Sequence, residues 1–411
     1  MTGKPEHHYD IIIIGGGAAG FFTAINAAEM MPAAKILILE RGKEVLTKVR
    51  ISGGGRCNVT HAEFVPNELS KNYPRGEKEL RGPFHTFMTG DTISWFAERG
   101  IELKIEEDGR MFPVSDSSET IINCFLTETS RLGIKVLKNH PVRDLQKAGE
   151  LWKILTADTD FTAKKVLVAT GSNPKIWEIL NNLGHSIVPA VPSLFTFNIQ
   201  DERIKDLPGL STRASIKVVG EKLKGEGPLL ITHWGMSGPA ILKLSAWGAR
   251  ELNERSYKFS IMVNWLPGYS SEEMTESLME LKMVHPKQQC GTYAQFELPK
   301  RLWRNLVKAA SIDETTIWAN LNKKQLQNLS RQLTECVFNV NGKSTFKEEF
   351  VTAGGLALKE VNFKTFESKL HKDLYFAGEV LNIDAITGGF NFQNAWTGGF
   401  LAAKAMASGN A

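Results

Sequence analysis

The chain has 411 residues, 42% of them hydrophobic and 23% charged, with 49 basic and 45 acidic side chains and a formal net charge of +4. That length suits two or three domains around a large core. The mildly basic balance falls well short of a nucleic-acid-binding footprint, so no nucleic-acid partner is expected. Cys57, Cys124, Cys290 and Cys336 stand far apart without metal-ligand spacing. This argues against a disulfide framework or a metal centre and for a reducing, cytoplasmic setting. The polar start MTGKPEHHYD runs directly into IIII without a signal-peptide pattern, and no apolar run reaches the roughly 18 residues needed to span a bilayer. The tandem His7-His8 reads as terminal decoration.

The run Ile11–Ile14 is short, β-branched and wholly apolar, the pattern of a buried parallel strand. Gly15, Gly17 and Gly20 follow as G-x-G-x-x-G, then helix-compatible sequence to Ala28, a second strand at 35–39 and an acid, Glu40. In such a unit Gly15 permits the tight turn, Gly17 lets backbone approach a pyrophosphate, and Gly20 lets the helix pack on the strand. The helix start, with Ala18 and Ala19, offers free N–H groups and a positive dipole end to phosphate. Glu40, 20 residues beyond Gly20, suits a ribose and disfavours a 2′-phosphate. The unit predicts a dinucleotide site, with FAD and NAD both open at this point.

A second glycine cluster, VRISGGGRCNVTH over 49–61, follows soon after. In flavoproteins the segment after the ribose-binding acid turns back over the pyrophosphate toward the flavin ring. Arg41, Lys48, Ser52, Gly53, Gly54, Gly55, Arg56, Cys57 and Asn58 are therefore candidate cofactor contacts. The glycines allow close backbone approach, Ser52 and Asn58 donate hydrogen bonds, and Arg56 offsets phosphate charge. This favours FAD. Cys57 is also weighed as a redox-active thiol, against packing.

Further along, KKVLVATGSNP is another buried strand, ending near Thr170 and Gly171. Prolines at 189 and 192 mark a boundary. Short alternating runs between 193 and 266 (LFTFNI, ASIKVVG, PLLITHWG, YKFSIMVNWL) read as strands of a small antiparallel barrel or sheet. SEEMTESLMELKMV and KKQLQNLSRQLTECV carry helical spacing. Strand-like sequence returns over 337–361, and DLYFAGEV is a strand ending at Gly378-Glu379. A helix is expected from about Asn391 to Ala407, after Gly388-Gly389. No second strand–GxGxxG–helix unit occurs in the middle region, so any nicotinamide would dock transiently.

The segments GGGAAG, ISGGGRCNVT, THWGMSGPAIL and LYFAGEVLNIDAITGGFNFQNAW together resemble the signatures of the BaiN/YhiN-like, or aminoacetone-oxidase-like, FAD-binding flavoproteins over nearly the whole chain. The pattern departs at VATGSNP, where a glycine pair is expected, and at Asn394, where a bulkier residue is usual. The resemblance implies an α/β fold: a Rossmann-like FAD-binding domain of glutathione-reductase-like type with an inserted β-barrel-like domain and a helical subdomain. The expected divisions are 1–192 and 362–411 for FAD, 193–268 and 338–361 for the barrel, and 269–337 for the helices. It also implies that the ATG strand end lies near the cofactor, that Glu379 binds the ribitol chain, and that Gly389, Asn391, Phe392 and Gln393 lie at the flavin.

The functional expectation is an FAD-dependent oxidoreductase, with NAD(P)H as transient donor, acting on a small molecule. The resemblance suggests reduction of an activated C=C bond in an enone or steroid-like substrate. Amine oxidation, RNA modification and a non-enzymatic flavin role are the alternatives. His233 is the candidate proton donor, weighed against a structural histidine at a strand end.

Overall fold

The four isoleucines close β1 (Glu6–Ile14), and each is at most 4% exposed, because a central parallel strand is covered on both faces. In the computed structural model, which describes residues 6–344 and 351–408, β1 begins before the apolar run. His7 and His8 pair with Phe161 and Thr162 of a neighbouring strand, so they are strand residues and not terminal decoration. The chain divides into two compact units, Met1–Val191 with Lys347–Ala411, and Pro192–Phe346.

In the first unit β1 is followed by α1 (Ala18–Met30), β2 (Ile36–Leu39) and α2 (Thr47–Gly55). β3 (Lys135–Leu137) lies beyond β2, and β4 (Asp160–Val168) lies on the other side of β1. All these pairings are parallel. A Cβ on Gly20 would lie 2.0 Å from the Gly15 carbonyl oxygen, so only glycine lets α1 start this close to the strand. The stretch 62–134, for which the pattern gave no reading, forms helices and two strands, Leu103–Ile105 and Arg110–Pro113. Thr60–His61 completes their small antiparallel sheet.

The second unit is a seven-stranded antiparallel sheet with helices. Its strands are β5 (Thr196–Asn198), β6 (Ser211–Val218), β7 (Lys224–Thr232), β8 (Gly235–Ser237), β9 (Lys258–Asn264), β10 (Cys336–Asn341) and β11 (Lys343–Ser344), in the order β10-β9-β6-β7-β8-β5-β11. Alternating burial along β7 aims Leu229 and Ile231 inward, the signature of a half-solvated antiparallel strand. They join a core with Ile216, Trp303, Trp318 and Leu329. α3 (Pro239–Trp247), not foreseen from the pattern, lies on β7 where Gly225 leaves no room for a side chain: a Cβ there would be 2.6 Å from the Ala240 carbonyl. The helical segments include α4 (Ser271–Val284), α5 (Lys300–Ala309) and α6 (Lys323–Thr334). Capping boxes at Ser270/Glu273 and Asn322/Gln325 start α4 and α6 by satisfying free N–H groups.

The strand-like run expected as one return over 338–361 divides. Its first part joins the seven-stranded sheet, residues 345–350 lie outside the described residues, and Thr352–Leu356 pairs with Ile187–Pro192 in the first unit. The physical reason is close packing: Gly354 brings its backbone against Ala190, where a Cβ would lie 2.7 Å from the Ala190 Cα. The chain closes with β12 (Leu374–Phe376), parallel to β4, and α7 (Phe390–Ser408). Gly399 lets α7 press on α1, within 2.8 Å of Thr23 Oγ1 for an added Cβ. Among the described residues no helix is long and apolar enough to cross a membrane.

His185 joins distant parts of the first unit. Its ring is buried, Nδ1 donates to Glu360 Oε2 at 3.0 Å, and Nε2 meets Ser368 Oγ at 3.2 Å. Burial pushes its pKa below the usual histidine value, against the opposing Glu360 hydrogen bond. The unfolded chain therefore takes up this proton first as pH falls, so the contribution to stability declines below about pH 6.5. The melting temperature is expected to be lower near pH 5.5 than near 7.5, and His185→Gln should narrow that difference. Thermal melts at the two pH values check it; an equal gap in the variant would refute the assignment.

Candidate functional site

β4, β1 and β12 run parallel, with Ile14 opposite Val168 and Val168 opposite Phe376. Their carboxyl ends therefore bring Gly15–Gly17, Ala169–Gly171 and Ala377–Glu379 to one edge of the sheet, where open α/β sheets bind ligands. The approach is close: a Cβ on Gly15, whose φ is +116°, would lie 2.3 Å from the Ala169 carbonyl oxygen. Gly17 caps α1 in extended conformation without a side-chain cap, and nothing lies within 4 Å of its Cβ direction. The first-turn N–H groups of α1, beside Ala18 and Ala19, have no acidic side chain among them. Glu40 at the end of β2 accepts from Gly16 N at 2.8 Å and Gly42 N at 2.7 Å. Its remaining lone pairs are available for a further donor. Arg41 is exposed.

The second glycine cluster ends α2 in a kink. Ser52 is extended (ψ 147°), and Gly53, Gly54 and Gly55 have φ of +58°, +69° and +86°. A run of three left-handed residues costs least when all three are glycine. Gly53 is packed, 2.8 Å from the Phe112 ring for an added Cβ, whereas nothing lies within 4 Å of Gly54 or Gly55. Ser52 Oγ donates to Val49 O at 2.9 Å. Arg56 turns to Glu106 at 2.5 Å and Asp116 at 3.5 Å, over the Phe112 ring. Cys57 is fully buried, and burial pushes its thiol up to about 12. It is a packing thiol with no thiolate at neutral pH.

This cluster is tied to the last strand and to α7. Lys48 Nζ meets Glu379 Oε2 at 2.5 Å. Asn58, with its amide turned to suit both neighbours, donates to Thr60 O and accepts from Gly389 N, each at 3.0 Å. Gly171 (φ +61°) faces Glu379, 3.6 Å away for a Cβ, and Gly378 sits between Ala19 and Ala395. The neighbouring Thr170 Oγ1 is buried with no hydrogen-bond partner among the described residues. At the start of α7, Asn391 Oδ1 accepts from Ala385 N at 3.0 Å, and Phe392 stacks on Trp396. Gln393 is enclosed: Oε1 accepts from Thr60 at 2.6 Å and Thr92 at 3.0 Å, and Nε2 donates to Thr397. Arg56, Cys57 and Gln393 are thus committed to protein partners, while Gly17, Gly54 and Gly55 keep open faces. His233 lies in the second unit, exposed with Trp234 in the turn between β7 and β8.

Sequence reasoning missed three supports. Asp384, with 0% exposure, receives Arg75 Nε on Oδ1 at 2.5 Å and a second guanidinium nitrogen on Oδ2. Tyr73 OH donates to Phe390 O at 2.6 Å. His61 Nδ1 donates to Gly388 O at 3.1 Å, stacks on Phe390, and is held below the usual histidine pKa by burial. These pairs hold the loop before α7, and no short-range pattern links residues some 300 positions apart.

An open glycine face at a helix start, a strand-end acid, an unpartnered buried hydroxyl and a second acid beside a lysine suit a dinucleotide that continues toward α7. The class is an FAD-dependent oxidoreductase on a Rossmann-like FAD-binding fold. The chain belongs to the HI0933-like protein Rossmann domain family, which matches residues 9–405. It is 30% identical over 411 residues to a ribosomal RNA dihydrouridine synthase of Haemophilus influenzae, covering 96% of this chain and 98% of that one. It is 27% identical over 406 residues to the 3-dehydro-bile acid delta(4,6)-reductase of Clostridium scindens, covering 96% and 98%. A 3-ketosteroid delta1-dehydrogenase structure from Sterolibacterium denitrificans is similar in fold, with a TM-score of 0.52 at 11% identity over 98% of this chain and 100% of that one.

Removing the Asp384 carboxylate leaves the Arg75 guanidinium, only 14% exposed, without its bidentate partner. Asp384→Ala is expected to cost about 3–5 kcal/mol, read from urea unfolding. A change inside the error of the extrapolation would mean that the pair does not hold the loop.

Proposed function

We propose that the chain uses FAD, with NAD(P)H as transient donor, to saturate a carbon–carbon double bond conjugated to a carbonyl, and that its substrate is a uridine of ribosomal RNA. The observation that carries this is the 30% identity, over nearly both full lengths, to a ribosomal RNA dihydrouridine synthase. Uracil C5=C6 is conjugated to the C4 carbonyl, so its reduction is chemically an enone reduction. The bile-acid reductase relative supports the same bond chemistry and a second reading, a steroid-like dienone. The sequence-based expectation of no nucleic-acid partner is set aside in the first reading.

In this proposal Glu40 receives the ribose, while the α1 start and the open faces of Gly54 and Gly55 admit the pyrophosphate. Thr170 supplies an otherwise unused hydroxyl. Lys48 orients Glu379 toward the ribitol. The start of α7 favours negative charge at the flavin's pyrimidine edge by about 0.3–1 kcal/mol. Bound FAD, once reduced by NAD(P)H, would supply the hydride. His233 gives a proton to the carbon beside the substrate carbonyl. The first unit holds the cofactor. The all-antiparallel sheet of the second unit supports a donor that docks and leaves, because among the described residues it offers no second parallel nucleotide fold.

The test is anaerobic reduction of the holoenzyme by NADH or NADPH, followed by ribosomal RNA or a steroid dienone, with product read by mass spectrometry. A gain of two hydrogens on a uridine is expected. Reoxidation by the dienone alone would replace the RNA reading with the steroid one, and reoxidation by neither would overturn both. His233→Ala should lower substrate reduction by about 100-fold or more while NAD(P)H-driven flavin reduction persists; full turnover would remove His233 from the chemistry.

Gly54→Val tests the cofactor placement. The substituted side chain meets open space, so the cost to folding is the left-handed strain of about 1–2 kcal/mol. The variant should be folded but largely empty of FAD, read from the flavin-to-protein absorbance ratio. Full flavin content would show that this turn does not face the cofactor.

A further inference from the structure

The motif THWGMSGPAIL is not explained by cofactor binding, and it leads to a face of the second unit. β6, β7 and β9 each bury one side of the sheet and turn the other to solvent. The outward side carries Arg213, Lys217, Lys224 and Lys258, with Ser211, Ser215 and Leu230 among them. Lys217 and Lys224 stand directly opposite each other across the β6–β7 ladder. Like charges in that position destabilise a sheet unless an anion lies over them. Neither these two nor Lys258 pairs with a carboxylate among the described residues. Glu226, on the same side of β7, is already taken by Arg213 at 2.8 Å.

At the far end of β7 stands Trp234, 59% exposed. It does not dangle. Its carbonyl accepts from Ile199 N at 2.9 Å, and its N–H donates to Thr232 Oγ1 at 3.3 Å. Gly235 (φ +146°) presses the turn against Phe197, 2.3 Å from that carbonyl for an added Cβ. A large aromatic ring is thus presented to solvent from fixed backbone, which lowers the ordering cost of stacking a partner on it. From Lys224 to Thr232 the strand spans about 26 Å at roughly 3.3 Å per residue, comparable to the track of a short single-stranded segment.

The geometry points to this outward face of β6, β7 and β9 as the docking surface for single-stranded RNA, with phosphates over Lys217, Lys224 and Lys258 and a base stacked on Trp234. It rests on the ribosomal RNA reading above and specifies where the RNA is held. Unpaired cations supply the charge complement, the aromatic platform supplies a sequence-tolerant contact, and the open sheet face supplies room for both.

The probe is a fluorescein-labelled oligouridine of about ten nucleotides, within the usual reach of a single-strand groove. Its binding to the holoenzyme is followed by anisotropy across a salt series. Trp234→Ala should weaken binding roughly ten- to a hundred-fold, and Trp234→Phe should restore most of it. The combined Lys217→Glu, Lys224→Glu, Lys258→Glu variant should bind at least tenfold more weakly and flatten the log–log salt slope by about two. Flavin content and thermal melts control for folding. If wild type forms dihydrouridine in ribosomal RNA but either variant binds oligouridine as wild type does, this surface is wrong while the function stands. If wild type neither binds oligouridine nor reduces uridine, the RNA reading falls and the surface with it. Binding to anionic phospholipid vesicles without binding to oligouridine would assign the face to a membrane and overturn the proposal.

Discussion

The first unit depends on the contact between two strand ends. β1 and β4 run parallel into a point where the Gly15 backbone lies too close to the Ala169 carbonyl for any side chain. That approach lets α1 begin directly at the strand end and puts the residues after β4 and β12 within reach of it. Had β1 and β4 been held apart by one methyl group, the Thr170–Gly171 turn and Glu379 would face a different space from the α1 start. A similar exclusion recurs at Gly20 and Gly389, each with a carbonyl oxygen within 2.5 Å of a Cβ position. These glycines are demanded by packing.

A second set of glycines is demanded by conformation alone. Gly54 and Gly55 have positive φ and no neighbour in the Cβ direction. Their freedom is spent on a left-handed reversal that returns the chain toward α7 and leaves an open surface. The polar residues around them divide the same way. Ser52, Arg56, Asn58 and Gln393 are held by protein partners. Lys48 and Glu379 pair with each other while Lys48 stays half exposed. A site made of open backbone and few free side chains suits a large cofactor that brings its own chemistry, leaving the protein to set position and charge.

The inserted unit follows another logic. Its sheet buries one face under helices and leaves the other in water, and tight glycine turns hold the exposed Trp234 in place. The cofactor unit varies little in what it must do, since the dinucleotide is the same for many reactions. The inserted unit carries no such constraint from the dinucleotide.

The amino-acid sequence by itself determined the βαβ start, the strand-end acid, the position of the second glycine turn and the antiparallel character of the insertion. Each is a local property: a run of isoleucines, glycine spacing, or alternation at period two is visible within some thirty residues. It misread His7 and His8, because their strand character comes from pairing with Phe161 and Thr162 and not from their own polarity. It assigned one return to the run over 338–361, because two strands of like composition do not announce which sheet each will join. Only the tertiary structure decided that Gln393 faces a cluster of threonines, that Cys57 is sealed from solvent, and that Arg75 clamps Asp384 across 309 positions of chain. Those outcomes depend on which distant backbones come within a few ångströms, a quantity set by packing of the whole unit and carried by no short stretch of residues.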